Sequence, residues 1–143
     1  FPGLKKLQER FGEEVDIVLV YIREAHPNEG AENWEEVKHK IPDPKSQLER
    51  SIWASKFVQD FNLPFRFLVD DIDDRVATRW AAWPVRAFLI NRDGTIGYAG
   101  AQGPWSYRPY EGFVHGSGEQ RKWDVLFNEE SLEAYLEKRF ENL

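Results

Sequence analysis

Trp83-Pro-Val-Arg-Ala-Phe-Leu-Ile-Asn-Arg-Asp-Gly-Thr-Ile96 is the stretch on which the reading of the fold turns. Asp93-Gly94 between two apolar runs is a hairpin signal, because a tight turn between twisted strands needs positive φ and glycine adopts it freely. Val85–Ile90 is therefore predicted as a strand, Asn91–Gly94 as the turn and Thr95–Ala99 as the returning strand. Trp83-Pro84 breaks the element before it, since proline restricts the residue that precedes it.

Upstream, strands alternate with helices. Arg75–Ala82 is predicted as a short helix led by Asp70, Asp71, Asp73 and Asp74, whose charges favour a helix N-terminus. Phe65–Val69 reads as a strand. Lys45–Phe61 reads as a helix, with Ser46 as N-cap and an apolar stripe of Leu48, Ile52, Phe57 or Val58, and Phe61. Arg23–Pro44 is a long polar loop with one helical turn near Trp34–Val37, closed by the Ile41-Pro-Asp-Pro44 breaker. Val15–Ile22 is nearly continuous in apolar character, as a strand buried on both faces should be. Leu4, Leu7 and Phe11 mark an opening helix, with Pro2 in its first turn and Gly12 past its end.

Downstream, residues 100–127 show no periodicity. Glu129–Asn142 is predicted as a helix capped by Asn128, burying Leu132, Tyr135, Leu136 and Phe140, with Lys138 and Arg139 near its end. Strands separated by helices pair in parallel, and the hairpin adds an antiparallel edge. The expected fold is α/β, with a mixed central sheet and helices on both faces. Its 143 residues suit a single domain, 1–143.

Charge and composition narrow the function. Nineteen basic against 25 acidic residues give a net charge of −6, which lacks the basic footprint of a nucleic-acid binder. The longest apolar runs, Val18–Ile22 and Ala87–Ile90, are too short to span a bilayer, and no signal-peptide pattern opens the chain. There is no cysteine, so these residues offer no disulfide, zinc–thiolate site or thiol nucleophile. Without a methionine at position 1, Phe1 is not expected to be the translated start.

Two segments carry a family resemblance. Trp83–Ile96 resembles the proline, strand and hairpin of thioredoxin-like proteins. Val20-Tyr-Ile-Arg-Glu-Ala-His-Pro-Asn-Glu-Gly30 and Gly103-Pro-Trp-Ser-Tyr-Arg-Pro109 resemble segments of the iodothyronine deiodinase family, with Ile41-Pro42 and the Leu48–Phe61 helix in order between them. The resemblance spans residues 1–109 and resumes at the final helix, so that 110–127 reads as an insertion. It implies a thioredoxin-like fold with a cis bond before Pro84. It also implies reductive chemistry by a selenocysteine or cysteine, which would lie upstream of Phe1 at the N-terminus of the Pro2–Phe11 helix, where a chalcogenolate is stabilised. An external thiol reductant would close the cycle, and no other cofactor is expected. The sequence departs from the family at Pro44, where a histidine is usual, and at Val85, where vertebrate members have glutamate; Arg86 matches.

His26, at the end of a parallel strand, is the leading catalytic candidate, for ligand binding or proton transfer, with Glu24 to orient it. A loop histidine and a solvated acid are the plain alternatives. Pro84, Arg86, Trp83 and Trp105 are the substrate-binding candidates, with core packing as the ordinary role of tryptophan. Trp53 and Trp80 are expected in the core. His39 and His115 read as surface or loop residues. The Asp70–Asp74 cluster lacks the glycine and distal glutamate of a calcium loop, so solvated helix-start acids are expected there and no metal site. The expected activity is reductive dehalogenation or thiol–peroxide chemistry on a small molecule, an iodinated aromatic or a peroxide. The alternative is a catalytically inactive thioredoxin-like binding module. A homodimer is left open.

Overall fold

Alternation of β-branched runs with helix-forming segments produces eight elements among the residues that the computed structural model describes, 2–25, 27, 41–102 and 130–141. These are α1 (Pro2–Phe11), β1 (Val18–Tyr21), α2 (Gln47–Phe61), β2 (Arg66–Val69), α3 (Arg75–Arg79), β3 (Phe88–Ile90), β4 (Ile96–Ala99) and α4 (Leu132–Phe140). They fall into two compact units: Val18–Trp83, and Phe1–Ile17 with Pro84–Leu143.

In the Val18–Trp83 unit, β1 and β2 pair in parallel, with Val18 opposite Arg66 and Tyr21 opposite Val69. The connection between them is α2, as parallel pairing requires. Ser46 caps α2, its hydroxyl accepting from the Glu49 N–H at 3.2 Å, and Asn62 ends it in the left-handed conformation at φ 46°. The ladder face under α2 carries Tyr21 and Phe67, whose rings meet Phe57 at centroid separations of 5.7 and 6.3 Å. On the other face Val18, Val20 and Leu68 are exposed, so β1 is not buried on both faces as its sequence suggested.

The α2 stripe is also corrected. Leu48 and Ile52 are 71% and 57% exposed, while Arg50 and Ala54 are buried. The inward row of the helix is residues 50, 54, 57 and 61, and Phe57 in it meets the sheet. That row follows the same 3.6-residue period, rotated to bury a guanidinium that has partners. Helix α3 stops at Arg79, and Ala81 at φ 46° turns the chain before Trp83-Pro84 is reached. Trp80, expected in the core, is exposed, and Trp53 is half-buried.

The other unit builds its core from Leu7 and Phe11 of α1, Leu89 of β3, Tyr98 of β4 and Leu136 of α4, with Leu4, Leu132, Tyr135 and Phe140 packed against them. The predicted helical faces of α1 and α4 are the ones buried. Helix α4 begins later than expected. Ser131, fully buried, is its cap and accepts from the Ala134 N–H at 3.1 Å; Asn128, the cap read from sequence, lies outside the described residues. Arg10 of α1 joins the two helices by a fork to Glu141 (2.6 and 2.5 Å) and a contact to Glu137 (2.6 Å).

The β3–β4 hairpin follows its sequence signal. The Gly94 N–H donates to the Asn91 carbonyl at 2.9 Å, the Asn91 N–H donates to Thr95 at 2.8 Å, and Gly94 takes φ +84°. Gly97 is the extra residue of a bulge that shifts the register between Leu89 and Ile90. A side chain there would begin 2.8 Å from Asn91 Oδ1 and 3.1 Å from the Tyr135 hydroxyl. The parallel pair and the antiparallel hairpin both form, and the fold is α/β. Among the described residues they are hydrogen-bonded as two two-stranded sheets, where the sequence reading joined them in one. Element order sets strand direction; which edges pair is decided by contacts between distant segments.

Candidate functional site

The carboxyl end of a parallel ladder is where α/β proteins gather functional groups, because the loops leaving the strands converge there. Here the loops after β1 and β2 meet. The Asp70 N–H donates to the Tyr21 carbonyl at 2.8 Å, extending the ladder by one bond. Gln47, at the start of α2, clamps the second loop: its amide donates to the Asp70 carbonyl at 3.2 Å and accepts from the Ile72 N–H at 2.7 Å.

Asp70 is the anchor. Its side chain is 2% exposed, not solvated as its run of acids suggested. Oδ1 accepts from the N–H groups of Asp71 (2.8 Å) and Val76 (2.9 Å), and Oδ2 from that of Ala77 (2.9 Å). The carboxylate therefore caps α3 from outside the helix, satisfying two of its orphan donors. Asp74, the residue at the N-cap position, makes no capping bond and sits at φ 58°, ψ 41°. Asp71 and Asp73 are exposed and pair with Arg75 at 3.4 and 3.1 Å.

Asp74 instead faces two guanidinium groups. Arg50 Nη2 stands 2.9 Å from Asp74 Oδ1, while its Nη1 donates to the Asp71 carbonyl. The Arg50–Asp74 approach is an ion pair rather than an aligned hydrogen bond: Asp74 Oδ1 and Arg50 Nε are buried without hydrogen-bond partners among the described residues. On its other side Asp74 Oδ2 lies 3.8 Å from Arg23 Nη1.

Arg23 and Glu24 belong to the segment leaving β1, Tyr21 ends that strand and Trp83 follows α3. The Arg23 guanidinium stacks 5.1 Å from the ring centroid of Trp83, a cation–π distance. The Trp83 indole N–H donates to the Glu24 carbonyl at 3.5 Å. The Glu24 carboxylate accepts a short hydrogen bond from the Tyr21 hydroxyl. Burial under α2, then the adjoining Glu24 carboxylate, push the Tyr21 hydroxyl well above the ordinary phenol range. A neutral phenol thus donates to a carboxylate at the strand's end.

Of the residues singled out from sequence, Glu24 and Trp83 are brought together in this cluster. Pro84 and Arg86 belong to the other unit, where Arg86 Nε donates to the Gly100 carbonyl at 2.8 Å and its guanidinium lies 4.7 Å from the Phe88 centroid. Arg86 thereby ties the segment before β3 to the end of β4. His26 and Trp105 lie outside the described residues, as do His39 and His115. Among the described residues no group of three or more carboxylate or imidazole side chains could hold a metal ion. Sequence reasoning missed Tyr21, Arg23, Arg50 and Asp74. One signal was present: Arg50 falls on the same helical row as Ala54, Phe57 and Phe61.

An α/β protein with a phenol–carboxylate pair at the end of a parallel strand is the class that these features define. The chain belongs to the iodothyronine deiodinase family: a family model described as iodothyronine deiodinase matches residues 1–115. It is 32% identical over 115 residues to type II iodothyronine deiodinase of Neoceratodus forsteri, covering 74% of this chain and 40% of that protein. The human type II enzyme is 30% identical over 117 residues, covering 77% of this chain and 41% of the relative. Type I iodothyronine deiodinase of Xenopus laevis is 29% identical over 107 residues, 74% of this chain and 40% of the relative. The chain thus spans about two-fifths of the length of the curated relatives it matches.

Proposed function

We propose that the chain is part of a deiodinase-type oxidoreductase that reductively removes halogen from an iodinated aromatic, or performs related thiol–peroxide chemistry. The observation that carries the reading is the Tyr21–Glu24 pair at the carboxyl end of β1 in a chain of this family. The nucleophile would be a cysteine or selenocysteine upstream of Phe1, activated at the N-terminus of α1. The chalcogenolate attacks iodine, the aryl carbon takes a proton, and the iodine stays on sulfur or selenium. Two equivalents of thiol then give a disulfide, iodide and the regenerated chalcogenolate, with two protons released.

In this reading residues 1–143 form a single thioredoxin-like domain with 110–127 inserted. Tyr21 and Glu24, with His26, handle the proton. Trp83, Pro84 (with a cis bond before it), Arg86 and Trp105 are the substrate-binding candidates that the resemblance implies. The partners are the small-molecule substrate and a thiol reductant, not nucleic acid, with a homodimer compatible.

The experiment is iodide release by the natural full-length protein from an iodinated phenol, with dithiothreitol as reductant, before and after alkylation. Release abolished by alkylation, together with a Tyr21→Phe variant slowed by about 10²-fold, supports the reading. No alkylated residue and no turnover of iodinated phenol or peroxide overturns it in favour of a catalytically inactive binding module. The departures at Pro44 and Val85 favour that second reading.

A further inference from the structure

We propose that Asp74 is a positioning residue, which sets the segment after β1 through Arg23 and Trp83. The proposal rests on the deiodinase-type reading only for what that segment does in turnover.

Three observations converge on Asp74. Its backbone adopts a left-handed conformation that side chains other than glycine, asparagine and aspartate rarely take, at φ 58°. Its carboxylate is not spent on the helix it begins, because Asp70 caps α3. It is aimed instead between a buried guanidinium, Arg50, and a half-exposed one, Arg23. Arg50 is fixed at its other end by the Asp71 carbonyl, so Asp74 has a rigid cation behind it and an adjustable one in front.

The Arg23 side chain, 50% exposed, has ordinary freedom to leave the surface. Asp74 supplies the charge that keeps it over the Trp83 ring. A guanidinium on one face limits the tilt of the indole, whose N–H reaches the Glu24 carbonyl. The line Arg50–Asp74–Arg23–Trp83–Glu24 thus connects α2 to the residue that accepts from Tyr21. Its links are ionic and aromatic over most of their length. Removing the charge of Asp74 should therefore let Trp83 and Glu24 drift without dissolving the β1–β2 ladder, whose hydrogen bonds lie elsewhere.

The test reads Trp83 directly. In the nitrogen-15-labelled full chain the Trp83 indole N–H resonance is assigned by Trp83→Phe, and the five other tryptophans serve as controls. Asp74→Asn and Arg23→Gln should each move the Trp83 resonance, in the same direction, and the double variant should move it no further than the larger single change. The control resonances should stay in place. An unmoved Trp83 in Asp74→Asn, or shifts that simply add in the double variant, overturns the proposal. If Asp74→Asn does not fold, Asp74→Asn combined with Arg50→Met decides, because it removes the buried cation left without its anion and still lacks the charge that faces Arg23. A moved Trp83 supports positioning, and an unmoved one overturns it.

In the full-length protein, both single variants should lower kcat by roughly 3–10-fold with KM within about twofold, as misplacement of a reacting group does. Here too the double variant should be no worse than the poorer single. Unchanged kcat in variants whose Trp83 has moved overturns the catalytic consequence. A wild-type protein without turnover refutes the deiodinase-type reading and leaves the Trp83 result to judge Asp74 separately.

Discussion

Replacing Asp70 by asparagine tests the reasoning about the β2–α3 loop most sharply. The carboxylate accepts three backbone N–H bonds of 2.8–2.9 Å while 2% exposed. Asparagine keeps one acceptor oxygen. In the better of its two orientations Oδ1 still receives Asp71 and Val76, but the amide NH2 group then points at the Ala77 N–H, donor against donor. One bond to a charged acceptor is lost, worth about 1.5–3 kcal/mol, and a buried N–H is left without a partner. The lost charge at the start of α3 adds roughly 0.3–1 kcal/mol. The expected destabilisation is roughly 2–4 kcal/mol. At an unfolding entropy of roughly 0.3 kcal/mol per kelvin for 143 residues, the melting temperature should fall by about 7–13 °C. Urea unfolding followed by circular dichroism gives the free energy, and a thermal scan gives the second number. Asp71→Asn and Asp73→Asn are the controls. Both side chains are more than half exposed, and each change should shift melting by no more than about two degrees. An Asp70→Asn protein that matches those controls would refute the assignment of Asp70 as the cap of α3.

Gly97→Ala should destabilise by about 1–3 kcal/mol in denaturant unfolding, because the new Cβ would start 2.8 Å from Asn91 Oδ1. Gly94→Ala, with nothing within 4 Å, should cost about 1 kcal/mol from its positive φ alone. Tyr21 should stay protonated beyond the ordinary tyrosine value of about 10, read as tyrosinate absorbance missing from a native titration. Because its folded value is raised, the stability it contributes is complete below about pH 10 and is lost as pH climbs toward that value. Tyr21→Phe should flatten this alkaline decline. Leu48→Ala and Ile52→Ala should each change stability by less than about 0.5 kcal/mol, whereas a buried stripe at those positions would cost about 2–5 kcal/mol per substitution.

The hairpin was legible because its information is local. Asn91–Thr95 contains the turn glycine and the side chains that hold it: Asn91 Nδ2 donates to Thr95 Oγ1 at 2.9 Å, and Asp93 Oδ1 accepts the Thr95 N–H at 3.0 Å. Thr95's hydroxyl and then its N–H hold Asp93 below the usual carboxylate range. The buried faces of α1 and α4 were legible for a related reason. Each has one apolar row and charged flanks, so only one rotation buries Leu7 and Phe11, or Leu136. In α2 two rows compete, Leu48–Ile52 and Ala54–Phe57–Phe61, and the row containing Arg50 wins. A helix-periodicity argument penalises a buried arginine, and only the placement of Asp74 and the Asp71 carbonyl removes that penalty.

The candidate site divides in the same way. Glu24 stood out by its nearness to His26, and Trp83 by its place in the family resemblance. Their meeting through an indole N–H and a backbone carbonyl joins residues 59 positions apart. Four successive acids around Ile72 look alike in sequence, yet one is a buried cap, two are exposed and one pairs with arginines from α2 and the β1 loop. Local propensity and charge determined which segments become helices and strands and where the hairpin turns, while the resemblance around Tyr21–Pro27 pointed to the family. Tertiary structure alone decided which face of α2 is inside, which aspartate is buried and which cation reaches it. Those outcomes depend on desolvation and on partners brought by distant segments, and neither is encoded within one turn or one strand.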